Sequence, residues 1–190
     1  GGPRLPRVTL WEAWNEPNYA GLLRPQRRGG RPVADIAYAD LLKGFRSEVK
    51  AAARRHGGYP TVVIGGALGH TTSSGRGVGP VTMVRTMARY GAVPDAISVH
   101  PYNQTPNCGV YDGTYDPRLG RHCGARYEQQ QVAIGNLDRF LADVRRAFGR
   151  RLPVYVTEYG FQTRAADGSG QYAVPAADQA RYLRQAVRLF

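Results

Sequence analysis

The stretch Arg7-Val8-Thr9-Leu10-Trp11-Glu12-Ala13-Trp14 runs straight into Asn15-Glu16-Pro17-Asn18. Its β-branched and aromatic residues predict a strand. Pro17 has no N–H to give a ladder, so it stops that strand just after a carboxylate. The same grammar returns three times. Thr61-Val62-Val63-Ile64-Gly65-Gly66, Ala96-Ile97-Ser98-Val99-His100 and Pro153-Val154-Tyr155-Val156-Thr157-Glu158 are short apolar runs set off by Gly and Pro. Helical patterns lie between and after them. Tyr38, Leu41, Leu42, Phe45 and Val49 stripe a helix over about 35–55, and Val84, Met87 and Ala88 a shorter one over about 79–90. Leu137, Phe140, Leu141, Val144 and Phe148 stripe a third over about 128–148. Leu183, Ala186, Val187 and Phe190 form the apolar face of a fourth, beginning near Pro175.

Four strand–helix units in succession predict an α/β fold, a parallel sheet with helices packed outside it. The connections are unequal. Helix-to-strand links are Gly/Pro-rich and roughly 3–6 residues long, whereas the strand-to-helix links span about 16–34, 67–78, 103–127 and 160–174. In α/β folds the loops at the C-terminal strand ends build the site, so chemistry is expected on that face. Four units are half of a TM (β/α)₈ barrel, which takes about 250 residues. The 190 residues do not complete one. The first and last strands of such a portion should present unpaired edges and expose apolar interior side chains. An open doubly wound sheet is the rival architecture. Gly75-Arg76-Gly77-Val78-Gly79 has neither dinucleotide nor Walker spacing, and reads as a flexible surface loop.

Composition narrows the function classes. No run approaches the ~18 uncharged apolar residues of a membrane span, so no membrane partner is expected. Gly1-Gly2-Pro3-Arg4 carries no visible targeting signal; either one has been removed or the chain begins inside something longer. The net charge of +12 raises nucleic acid as a partner. However, all but Lys43 and Lys50 of the 26 basic residues are arginines scattered along the chain, which speaks for coding bias over a phosphate-binding face. Cys108 and Cys123 are too few for a structural zinc site and form no Cys-x-x-Cys motif. We read them as a disulfide closing a long loop in an oxidising compartment, with two free thiols as the alternative.

Only five glutamates occur: Glu12, Glu16, Glu48, Glu128 and Glu158. Glu16 and Glu158 fall at the C-terminal ends of predicted strands, on the face of the long loops. Two carboxylates on one rim suit glycosidic bond cleavage, one donating a proton to the leaving oxygen while the other attacks the anomeric carbon or activates a water. The motifs around them agree in order. Trp11-Glu12-Ala13-Trp14-Asn15-Glu16-Pro17-Asn18 resembles the fourth-strand motif of clan A glycoside hydrolases, retaining (β/α)₈ barrels such as family 39 and family 5-like enzymes. Thr157-Glu158-Tyr159-Gly160 resembles their seventh-strand motif, and Ser98-Val99-His100-Pro101-Tyr102 the sixth-strand segment. Gly65-Gly66-Ala67 is similar to a fifth-strand segment of family 39, with Ala67 where proline is common. The resemblance covers residues 1–190 as one partial catalytic barrel, strand four to helix seven.

That resemblance implies roles. Glu16 would be the acid/base and Glu158 the nucleophile of a double displacement, with the carboxyl groups about 5–5.5 Å apart; about 7–9.5 Å would indicate inversion. Asn15 would bond the sugar 2-hydroxyl, Tyr102 would donate toward Glu158, and His100 would hold a hydroxyl or a neighbouring side chain. Trp14, Tyr159 and Phe161 would stack on sugar faces or simply pack. Glu12 reads as a buried structural partner of an arginine. No cofactor or metal is called for, and His56, His70, His100 and His122 lack ligand spacing. The whole is expected to be a secreted glycosidase acting on a carbohydrate substrate, monomeric when complete. The alternatives are a non-catalytic carbohydrate-binding barrel protein and an Arg-rich nucleic-acid-binding protein. Groups from strands one to three and eight, including an eighth-strand Trp, have no counterpart in this chain.

Overall fold

Strand β1 is only Leu10–Glu12, far shorter than its β-rich sequence run. Trp14 and Glu16 take positive φ (71° and 41°) and turn the chain off the ladder. The computed structural model describes residues 6–71, 77–163 and 173–189. After β1 come a small hairpin, β2 (Arg27–Arg28) and β3 (Arg31–Pro32), and helix α1, Ala34–Arg55. Strand β4 (Val62–Gly69), helix α2 (Pro80–Arg89) and strand β5 (Ala96–His100) follow. A long connection then holds a second hairpin, β6 (Thr114–Asp116) and β7 (Arg121–Cys123), before helix α3, Leu137–Phe148. Strand β8 (Val154–Val156) and helix α4 (Ala176–Val187) complete the order.

The main sheet runs β1-β4-β5-β8, every pair parallel. Each strand thus lies beside the next one in the chain, without the order reversal of a doubly wound sheet. Helix α1 packs on α2 and α2 on α3, so these three helices form one layer beside the sheet. These are four consecutive units of a (β/α)₈-type barrel. The outer strands β1 and β8 each pair on one side among the described residues, and Leu10 and Tyr155 are exposed.

The core lies between sheet and helices. Tyr38, Leu42, Val63, Leu68, Met83, Val84, Met87, Ile97, Val99 and Phe140 are buried together, with Leu41, Phe45 and Val49 packed on their rim. Polar ties fix the helices to each other. The Thr86 hydroxyl donates to Asp35 at 2.8 Å, and the buried Asp143 of α3 accepts from Arg85 of α2 at 3.0 Å. Asp95, ahead of β5, accepts from Arg46 of α1 and from the Val63 N–H, and pairs with Lys50 at 2.7 Å. Its partial burial works to raise the pKa, but the Lys50 ammonium, the Val63 N–H and Arg46 prevail and hold it at about 2.

Several local expectations need correction. Helix α3 starts nine residues late, because Tyr127–Gln129 and Ile134–Asn136 form single 3₁₀ turns. Gln130 between them sits in the left-handed region, and Asn136 turns its carbonyl onto the Ala133 N–H. Leu141 is exposed on α3, and Val187 is 74% exposed on α4, whose buried face is Tyr182 and Ala186. Phe190 lies outside the described residues, as do Gly75 and Arg76 of the glycine-rich loop. The rest of that loop is not a surface feature, for Val78 is fully buried ahead of α2. The cysteines form a disulfide, Cα to Cα 5.7 Å, across the long connection after β5. Among the described residues no helix is long and apolar enough to cross a membrane.

The Tyr38 hydroxyl, fully buried, donates to the Ala13 carbonyl at 2.8 Å and accepts from the Gly66 N–H at 2.7 Å. Tyr38→Phe leaves both backbone groups without that partner, and urea unfolding should register a loss of about 1–3 kcal/mol. Asp95 gives a second check. Its folded pKa is depressed from 3.8 to about 2, so its contribution is complete above its ordinary value and is lost as pH falls toward 2. Stability measured across that window should fall, and in Asp95→Asn the fall should be shallower.

Candidate active site

The four long loops all leave the C-terminal ends of the sheet strands, and the loop after β1 is held by buried amides. Asn18 donates to the Gly69 and Thr71 carbonyls and accepts from the Gly69 N–H. Gln26 donates to the Pro17 and Leu23 carbonyls and accepts from the Val78 N–H. Just ahead of these anchors the Glu16 N–H bonds the Ala67 carbonyl at 2.9 Å. Ala67 lies in a register shift of β4 between Gly65 and Leu68, and its N–H is taken by the Ser98 hydroxyl at 2.6 Å. Gly66 has φ 112°, and a Cβ there would meet the Ser98 carbonyl oxygen at 2.6 Å, so no other residue fits. Ala67 has φ 44°, which a proline, its φ fixed near about −65°, could not adopt. Trp14, Glu16 and Ala67 are three of four non-glycine residues with positive φ among the described residues. Such strain persists only where the surroundings over-determine it.

The loops bring four of the singled-out side chains together. Buried His100, at the end of β5, places Nδ1 3.1 Å from Glu16 Oε1 and 3.6 Å from Glu158 Oε2. One ring nitrogen of His100 and one carboxylate oxygen from each glutamate lie within 4.8 Å of one another. Tyr102 donates to Glu158 Oε2 at 3.2 Å. Burial raises the Tyr102 pKa, and the negative charge of Glu158 beside it raises it further. On its other side His100 Nε2 lies 3.0 Å from Thr157 Oγ1, which donates to Glu12 Oε1 at 3.1 Å.

Other singled-out residues are placed elsewhere. Asn15 and Trp14 are exposed, and the Trp14 indole N–H bonds the Leu22 carbonyl at 3.1 Å. Tyr159 donates to Asn103 and packs edge-on against Phe161, in a small cluster with Val174 and Tyr182. Phe161 is therefore packing and not a sugar platform. Glu12 is exposed, bonded to Thr157 and not buried against an arginine.

His70, Tyr19 and Thr157 were not singled out, and the structure adds them to this rim. The Tyr19 hydroxyl meets His70 Nδ1 at 3.1 Å, and the His70 ring stands edge-on to Tyr102. Burial lowers the His70 pKa, Glu16 acts against that, and His100 adds to the lowering. A histidine one residue past a Gly-rich strand is a signal available in the sequence. Nothing in the order of residues pairs it with Tyr19.

The chain matches no protein-family model and no curated protein. It is similar in structure to the GH39 enzyme from Xanthomonas axonopodis pv. citri, with 20% identity and a TM-score of 0.47, over 80% of this chain and 26% of that one. The chain thus spans about a quarter of that protein's length. The fold rests on the strand order given above, and the site on its own distances.

Proposed function

We propose that this chain is the catalytic part of a retaining glycoside hydrolase that cleaves β-glycosidic bonds of a poly- or oligosaccharide. The observation that carries this reading is the convergence of Glu16 and Glu158 on His100, with an oxygen of each carboxyl group inside the same 4.8 Å. Retaining enzymes hold their carboxyl groups about 5–5.5 Å apart, whereas inverting enzymes need about 6.5–9.5 Å to admit a water. Hydrogen-bond polarity supports a division of labour. Glu158 accepts from Tyr102, which favours its ionised form. Glu16 faces an imidazole nitrogen, a partner with which it can share a proton.

In this reading Glu158 attacks the anomeric carbon while Glu16 gives its proton to the departing oxygen, leaving a glycosyl ester on Glu158 and a free alcohol. Water then attacks the same carbon. Glu16 takes the proton of that water, the ester bond breaks, and Glu158 is again a carboxylate. Asn15, Trp14 and Tyr159 are proposed to reach substrate only in the complex. The disulfide fits a secreted protein.

The test is hydrolysis of aryl β-glycosides by the natural full-length protein. The first-formed sugar should be the β-anomer by NMR, and a first-formed α-anomer would sink the retaining assignment. Glu158→Gln should abolish turnover while sugar binding persists, and Glu16→Ala should lose at least about a hundredfold on substrates with poor leaving groups. Sugar binding with no hydrolysis by the unaltered protein would instead identify a carbohydrate-binding barrel.

A further inference from the structure

The chain of contacts behind His100 has a direction. Glu12 is an exposed carboxylate and can only accept. Thr157 Oγ1 spends its single proton on Glu12 Oε1, 3.1 Å away. Toward His100 Nε2, at 3.0 Å, that hydroxyl has only lone pairs left, so Nε2 must carry a hydrogen. A neutral imidazole holds one N–H, which leaves Nδ1 bare, 3.1 Å from Glu16 Oε1. Two bare acceptors do not bond, so this arrangement calls for a second proton in the Nδ1–Oε1 contact. If Nε2 were free to go bare, Nδ1–H would face an ionised Glu16 and the pair would hold one proton instead of two.

We infer that Thr157, anchored by Glu12, keeps His100 protonated at Nε2 and thereby retains at Glu16 the proton that the site delivers to the leaving group. This rests on the reading of Glu16 as acid. Thr157 and Glu12 are positioning residues, acting through His100 and touching no substrate. The device uses three strand ends, β1 for Glu12, β5 for His100 and the residue after β8 for Thr157. The other titratable groups facing His100 are Glu158, at 3.6 Å from Nδ1, and His70 and Tyr102 beyond it. Glu158 is already engaged by the Tyr102 hydroxyl, so the proton's acceptor is Glu16.

The proton positions are read directly by ¹⁵N NMR of the His100 ring, with hydrolysis measured in parallel. The unaltered protein should keep Nε2 protonated throughout its active pH range. Thr157→Val, which removes the lone-pair acceptor, and Glu12→Ala, which frees the Thr157 proton to turn toward Nε2, should both let Nε2 go bare near neutral pH. Both should also move the alkaline limb of the rate profile to lower pH, with the acid limb in place. Thr157→Ser, which keeps the hydroxyl, should restore both readouts. A bare Nε2 in the unaltered protein overturns the inference, and so does an unchanged Nε2 in both variants. If Thr157→Val fails to fold, the exposed Glu12→Ala decides alone. A protein without hydrolysis in any form overturns the function proposed above, and the ring nitrogens still decide the relay.

Discussion

The backbone bond from the Glu16 N–H to the Ala67 carbonyl is the constraint on which the rest depends. It ties the chain leaving β1 to an irregular step in β4, where the register shifts and the backbone turns left-handed at Gly66 and Ala67. That step is held in turn by Tyr38 from the helix layer and by Ser98 from β5. Three elements therefore fix the position of one carboxylate before any side chain on the rim is considered. Both partners of the step are fully buried, so the cost of a missing hydrogen bond falls on the core and not on a solvated loop. A site built this way can hold strained residues, since relaxing them would expose unpaired groups inside.

Charge follows the same layout. The chain carries a net charge of +12, yet the arginines are spread among separate local contacts. Arg46 meets Asp95, Arg85 and Arg146 meet Asp143, Arg118 meets Asp116, and Arg139 meets Glu128. Others lie over tyrosine rings, as Arg7 does over Tyr59 and Arg181 over Tyr182. These sit on different helices and loops. On α1 Lys43, Arg46, Lys50 and Arg54 line one groove, where Asp40 pairs with Lys43 and Asp95 with Arg46 and Lys50. The rim with Glu16, Glu158 and Glu12 is acidic within this basic surface, and no arginine makes an ion pair there among the described residues.

Much of the fold was legible in the sequence because its signals are local. β-branched runs bounded by Gly and Pro located the four strands of the main sheet, and the three-and-four spacing of Tyr38, Leu42 and Phe45 located α1. The misjudged places are those where tertiary contacts compete with periodicity. Residues 128–136 carry enough apolar residues to look helical, but the Gln130 side chain accepts from the Thr82 N–H of α2 and the Asn136 side chain from the Ala133 N–H at the start of its own turn, which hold the segment in 3₁₀ pieces. Val187 shares the helical period of Leu183 and Ala186, yet the side chain buried on α4 is Tyr182, packed against Phe161.

Composition and order determined the parallel α/β class, the face that carries the long loops, and two glutamates at strand ends. Each follows from residues near one another in the chain, where propensity and periodicity act. Only the tertiary structure decided that Glu16 and Glu158 meet over the same imidazole, that Phe161 turns away into packing, and that Glu12 reaches Thr157. Those pairings join residues on different strands. Their distances are set by sheet register and by one left-handed step in β4, neither of which leaves a periodic trace in the sequence.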